Sequence, residues 1–232
     1  MLEDLKSKVR RLNQELPKRG LVYLTFGNAS AFDPKAQRVI IKPSGVDFDS
    51  LIDRDMVVVD LNGNKLEGDK KPSSDLPTHV ELYKCFPEIG AIVHTHSQYA
   101  TSFAQARKPI CCYGTTHADH FHGVIPVTCD LNQEEIERDY ELNTGKAIVR
   151  ALREQGIKAL EVPACLVASH GPFVWGASAE EALENAIALE EIAKMNLNVL
   201  LLNPKIQQIG QNLLDKHFYR KHGETAYYGQ EK

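Results

Sequence analysis

The chain has 232 residues, a length that suits one large domain (1–232) and is ample for a buried core. Lys and Arg number 27 against 31 Asp and Glu, a net charge of -4, so no basic field exists to hold nucleic acid or an anionic membrane. The expected partner is a small molecule, with no nucleic acid and no membrane. No apolar run is long enough to span a bilayer and the N-terminus carries no basic-then-apolar leader, so a cytoplasmic location is expected.

Leu2, Leu5, Val9 and Leu12 recur at helical spacing with charges between them, predicting an amphipathic helix over residues 2–15. Short β-branched runs follow at Leu21–Thr25, Val39–Lys42 and Met56–Asp60, separated by turn-forming residues. Leu61-Asn62-Gly63-Asn64 reads as a hairpin turn, because Asn-Gly accepts positive φ. Ser74-Asp75-Leu76-Pro77 reads as a polar cap followed by proline in a first helical turn, with the helix running to about Phe86. Asn132-Gln133-Glu134-Glu135 and Ser178-Ala179-Glu180-Glu181 resemble capping boxes. The helix after Ser178 carries Leu183, Ala186, Ile187, Ile192 and Ala193, enough to cover a sheet face. Helices interleaved with hairpins predict an α/β three-layer sandwich around a mainly antiparallel central sheet. Neither G-x-G-x-x-G nor a P-loop is present, so no motif supports nucleotide binding.

The five cysteines, Cys85, Cys111, Cys112, Cys129 and Cys165, are odd in number and lack C-x-x-C spacing. Buried reduced thiols are expected in place of a disulfide framework or a thiolate metal site.

The densest chemistry is His94-Thr95-His96, at the end of the apolar run Ala91-Ile92-Val93. Residues i and i+2 of a strand share a face, so both imidazoles can aim at one divalent cation. Taken alone the pair reads equally well as ordinary buried histidines. Lys71-Pro72-Ser73-Ser74-Asp75 and Ser169-His170-Gly171-Pro172-Phe173 strengthen the case, since His170 ends a second apolar run, Cys165–Ala168, which reads as a buried strand delivering that side chain at its C-terminal end, and a tetrahedral site needs about four ligands. Three histidines and Asp75 would complete it. Gly27-Asn28-Ala29-Ser30, Lys42-Pro43-Ser44-Gly45 and Ser73-Ser74 each offer backbone amides near Gly or Ser, and Lys42 adds a charge. Each alone is a simple turn; together they are the ingredients of a phosphate cradle.

In order along the chain, Gly27-Asn28, Lys42-Pro43-Ser44-Gly45-Val46, Lys71-Pro72-Ser73-Ser74-Asp75, Val93-His94-Thr95-His96-Ser97, Gly114-Thr115-Thr116-His117-Ala118-Asp119, Ser169–Phe173 and Tyr227-Tyr228-Gly229-Gln230 carry a family likeness. Through them the chain resembles the L-ribulose-5-phosphate 4-epimerases of the class II, zinc-dependent aldolase/epimerase superfamily. The resemblance implies one Zn2+ per subunit, with Mn2+ or Co2+ as possible substitutes, held by His94, His96, His170 and Asp75. It implies a phosphate held by Gly27, Asn28, Ser44, Gly45, Ser73 and Ser74 with help from Lys42. It assigns proton transfer to Asp119 and Tyr228, and supporting roles to Thr115, Glu141 and His217. The implied reaction converts L-ribulose 5-phosphate to D-xylulose 5-phosphate by breaking and re-forming the C3–C4 bond, as used in arabinose or ascorbate breakdown. Related enzymes are homotetramers with sites between adjacent subunits, so Tyr228 would come from a neighbour.

His120 and His122 stand where aromatics are expected in this family, and could be mistaken for a second metal site, although no matching carboxylate spacing accompanies them. Two alternatives share the fold: a class II sugar-phosphate aldolase that releases its aldehyde, and a non-catalytic interaction module. Aldolases of the superfamily carry Glu where this chain has Asp75, which favours the epimerase, and retention of every proposed ligand speaks against the module. A zinc hydrolase lacks its H-E-x-x-H helix here.

Overall fold

The computed structural model describes residues 2–223 and 226–228. Helix α1 (Leu2–Lys18) leads into β1 (Asn28–Asp33), β2 (Arg38–Ile41), a 3-10 turn at Asp53–Asp55, β3 (Val57–Asp60) and β4 (Lys65–Glu67). Then come α2 (Leu76–Cys85), β5 (Ala91–His94), α3 (Gln98–Gln105), α4 (Thr115–Ala118), α5 (Gln133–Glu137) and α6 (Tyr140–Glu154). The chain closes with β6 (Ala164–Leu166), β7 (Pro172–Gly176), α7 (Ala179–Leu202) and α8 (Gln211–Tyr219). Among the described residues, no helix is long and apolar enough to cross a membrane.

The strands form one sheet of order β4-β3-β2-β1-β5-β7-β6, antiparallel at every pairing. Period-two alternation divides its side chains between two cores. Ile40, Val58, Val93 and Val174 face the core shared with Val9 and Leu12 of α1, Phe103 of α3 and Leu189 and Ile192 of α7. Val39, Ile41, Val57, Val59, Ile92, Phe173 and Trp175 face the core shared with Val80 and Tyr83 of α2 and Ile148 and Leu152 of α6. Because both faces are covered, β2, β3, β5, β6 and β7 read as largely apolar runs, and the expected three-layer α/β sandwich is what forms.

Local expectations are corrected at several points. Leu21–Thr25 is not a strand: Leu21 and Val22 are buried in irregular backbone, and Leu24 has φ 52°. The strand lies later, at Asn28–Asp33, where Asn, Ala, Ser and Asp conceal it from a propensity reading. His170 does not end a strand but sits in the turn between β6 and β7, beside Ser169 with φ 63°. The caps are real. Asn132 accepts from the Glu135 amide while the Glu135 carboxylate accepts from the Asn132 amide. At α7 Ser178 accepts from the Glu181 amide, but Glu181 reaches back to the Ala177 amide instead of that of Ser178. The cysteines form no disulfide; Cys112 and Cys165 are buried as expected, whereas Cys129 is exposed.

Candidate metal centre and active site

His94 is the last residue of β5, where the sheet core ends and the loops begin. It is 1% exposed, its ring stacks on Phe173 at 4.1 Å, and its Nδ1 lies 3.0 Å from the Pro172 carbonyl. A carbonyl can only accept, so Nδ1 carries the proton and Nε2 keeps its lone pair. His96 follows two residues later, beyond the strand, and the β6–β7 turn brings in His170. Ring centroids are 4.8 to 5.0 Å apart across the three, and one ligand atom from each lies within 4.8 Å of the others.

Burial lowers the pKa of all three imidazoles, in His94 against the opposing effects of Asp75 and the Pro172 carbonyl; His94 adds to the lowering of His96, and His170 is pushed down to about 3 by burial and by His94 and His96. All three are neutral at physiological pH, the state in which imidazole binds a metal. The fixed tautomer of His94 and three convergent neutral nitrogens fit a divalent cation of the zinc type.

Asp75, expected as a fourth ligand, lies at the edge of this group. It is the N-cap of α2, yet its carboxylate makes no capping hydrogen bond. Oδ2 instead accepts from Asn28 Nδ2 at 2.6 Å and stands 4.0 Å from His94 Nε2. Burial raises its pKa, but the nearby histidines and the Asn28 hydrogen bond outweigh that and hold it below the ordinary carboxylate value.

These residues open onto a cavity of about 390 Å³ lined also by Gly27, Asn28, Lys42, Ser44, Gly45, Ser73, Ser74 and Glu141. Every residue expected at the phosphate site therefore meets the metal residues in one cleft. The Lys42–Ser44 and Lys71–Ser73 segments are zipped together: the Ser44 amide donates to Lys71 O and the Ser73 amide to Lys42 O, both at 3.0 Å. Those two amides are thus engaged, which shifts the donor role of Ser44 and Ser73 to their hydroxyls. The N-terminus of α2 adds the favourable end of a helix dipole for an anion. Lys42 is buried, with its Nζ 3.4 Å from Pro43 O and 4.5 Å from the Phe48 ring centre. Burial lowers its pKa to about 8, against a small opposing effect of Asp47, and it forms no salt bridge among the described residues.

Gly27 explains how β1 enters the site. Its φ is 98°, and a Cβ there would lie 2.7 Å from the His94 carbonyl oxygen, so glycine alone lets these backbones approach.

Tyr140 was not singled out from sequence. It lines the cavity, and its hydroxyl lies 3.4 Å from His170 Nδ1. Its only signal was its adjacency to Glu141, which lines the same cleft from the first turn of α6.

Asp119, Tyr228, Thr115 and His217 are not among the residues lining this cleft. Asp119, which follows α4, instead accepts from His217 Nδ1 at 3.0 Å and from Arg220 at 3.1 and 2.8 Å, while Tyr228 packs its ring on Arg220 at 4.7 Å. Thr115 opens α4. The structure thus sorts most of the expected residues into the histidine-lined cleft and a separate carboxylate–tyrosine cluster. Gly229 and Gln230, which end the Tyr227–Gln230 segment, lie outside the described residues. His120 and His122 build no metal group among the described residues. His122 Nε2 instead lies 2.7 Å from Asp215 of α8, and its Nδ1 lies 3.6 Å from Glu161.

Comparison with known proteins agrees with this geometry. The family model for the class II aldolase and adducin N-terminal domain matches residues 7–197. An L-fuculose 1-phosphate aldolase of known structure is 26% identical, with a TM-score of 0.79 over 94% of this chain and 95% of that one. YgbL from Klebsiella pneumoniae, for which aldolase, epimerase and decarboxylase activities are the candidates, is 27% identical, with a TM-score of 0.73 over 93% and 98%. An L-fuculose-1-phosphate aldolase from Thermus thermophilus, at 24% identity and a TM-score of 0.69 over 88% and 99%, shares the fold.

Proposed function

The chain belongs to the class II aldolase and adducin N-terminal domain family, and within it we propose an epimerase that converts L-ribulose 5-phosphate to D-xylulose 5-phosphate. The observation that carries this reading is Asp75. Its short side chain is held by Asn28 at 2.6 Å and stands 4.0 Å from His94 Nε2. A carboxylate engaged there suits a fourth metal ligand better than a free base, so proton transfer falls to other groups.

A divalent cation bound by His94, His96, His170 and Asp75 supplies Lewis acidity at a carbonyl oxygen. The chain's own groups do the rest. Ser44, Gly45, Ser73, Ser74, Asn28 and Lys42 bind and orient the phosphate. Inversion at C4 has no acidic C–H to exploit, so the C3–C4 bond breaks: a base takes the C4 hydroxyl proton, C4 becomes an aldehyde, and the bonding pair passes to C3 and the C2 carbonyl. After the aldehyde turns over, C3 attacks its other face, and an acid returns a proton to the C4 oxygen. Arg220 and His217 keep Asp119 ionised, which suits it to accept the proton, and Tyr228 to donate one from the opposite face. Both lie outside the cleft of their own chain, so in this reading a neighbouring copy supplies them and the working unit is a homotetramer.

The similarity to an L-fuculose 1-phosphate aldolase favours a second reading, a sugar-phosphate aldolase that releases its aldehyde. Incubating metal-loaded protein with L-ribulose 5-phosphate and following products by NMR, beside a chelator-stripped control, separates the two. Metal-dependent D-xylulose 5-phosphate with little free aldehyde is the expected result. Free fragments would favour the aldolase, and absence of turnover would remove the epimerase reading.

A further inference from the structure

We propose that Arg220 is a positioning residue, one side chain that sets both candidate proton-transfer groups, Asp119 and Tyr228; this rests on the functional reading above. Arg220 follows directly after α8, and its guanidinium grips Asp119 as a fork, Nε on Oδ1 at 3.1 Å and Nη2 on Oδ2 at 2.8 Å. Its backbone carbonyl accepts from the amides of both Tyr227 and Tyr228, at 3.0 and 2.9 Å. The Tyr228 ring lies on the guanidinium at 4.7 Å and on Lys221 Nζ at 5.0 Å. The two groups assigned to proton transfer are 109 positions apart in sequence (228 less 119), and Arg220 touches both.

The arrangement has chemical consequences. Oδ1 of Asp119 already accepts from His217 and Arg220 Nε, whereas among the described residues Oδ2 takes only Arg220 Nη2. Oδ2 is therefore the oxygen with room to accept a proton, and the planar fork fixes where its lone pairs point. Burial raises the Asp119 pKa, but hydrogen bonds from Arg220 and His217 and the charges of Arg220 and Lys221 prevail and keep it low; His120 and His222 are the other titratable neighbours. Contacts other than those of Arg220 also dock α8. Leu214 packs with Cys112 and Ala118, Asp215 bonds His122, and the Phe218 ring lies at a tilt against His122. Lysine, a point charge without a fork, keeps the sign but not the geometry.

The test uses full-length, metal-loaded Arg220→Met and Arg220→Lys. Metal content, thermal stability, and kcat and KM against pH with L-ribulose 5-phosphate are measured, and Asp119 is followed by carboxyl 13C NMR. Arg220→Met is expected to retain metal and to lose about 100-fold in kcat with little change in KM, with its acid limb and Asp119 titration moved upward. Arg220→Lys should restore the acid limb but only part of kcat. An unmoved Asp119 titration in Arg220→Met, or a kcat loss that follows melting temperature alone, overturns the proposal. Should Arg220→Met not fold, wild-type kcat in Arg220→Lys overturns it as well. If the wild type fails to turn over this sugar phosphate, the functional reading falls, while the Asp119 titration still decides whether Arg220 sets that carboxylate.

Discussion

Lys42 is 1% exposed, lacks a salt bridge among the described residues and has its pKa lowered to about 8 by burial. A buried ammonium without a carboxylate is costly unless an anion completes it. KM for a phosphorylated substrate should therefore rise as pH passes about 8, and Lys42→Met should raise it about 10-fold at pH 7 with that pH dependence removed, as steady-state kinetics would show. The stability consequence has a definite sign. Because the folded pKa lies below the ordinary lysine value of 10.5, the unfolded chain binds more protons between about 8 and 10.5, and this group's contribution to stability rises with pH across that window. Among the proposed metal ligands, His96→Asn should weaken retention by more than about 100-fold, exceeding the 10- to 100-fold typical of removing a ligand's supporting hydrogen bond, measurable as metal content after dialysis. Tyr228→Phe should keep the metal and slow epimerisation; full activity would remove Tyr228 from the mechanism.

At the scale of elements, the site is built where β1, β5 and the β6–β7 turn end beside the N-terminus of α2. The pairing of Asn28 with His94 sets β1 against β5 and brings the Asn28 side chain to Asp75. Gly27 makes that approach sterically possible. Gly27→Ala should cost about 1–3 kcal/mol, from strain at φ 98° and a 2.7 Å contact with His94 O, and should lower metal affinity in step, as paired melting and metal-titration curves would reveal. Asp75 shows a cap residue diverted to another use: the α2 cap position supplies a carboxylate to the site instead of a hydrogen bond to its own helix.

At the scale of the whole molecule, the division of the proposed site residues between a cleft and a separate carboxylate–tyrosine cluster is what the proposed site shared between copies requires. It predicts complementation. His96→Asn and Asp119→Asn chains, each inactive alone, should regain part of the activity when unfolded together and reassembled, because some junctions would join an intact cleft to an intact cluster. Mixed assemblies without activity would place both groups of residues in service to one chain.

The sequence by itself determined the three-layer α/β class, the α7 cap at Ser178 and the Asn62-Gly63 turn, because periodicity and capping are local; it paired His94 with His96 by their spacing, although β5 ends at His94 and the irregular backbone beyond it carries His96. It also supplied His170, Asp75 and the phosphate-facing segments as candidates, through the order of motifs along the chain. It could not reveal β1, whose small polar residues form a strand only because β2 and β5 flank them. Nor could it show that His170 rides a turn, that Tyr140 meets the cleft, or that Arg220 joins Asp119 to Tyr228. The turn at His170 follows from local backbone conformation at Ser169 that apolar patterning does not report, whereas Tyr140 meets His170 across 30 positions and Asp119 meets Arg220 across 101, contacts fixed by how the layers pack, a property of the folded molecule that no window of sequence contains.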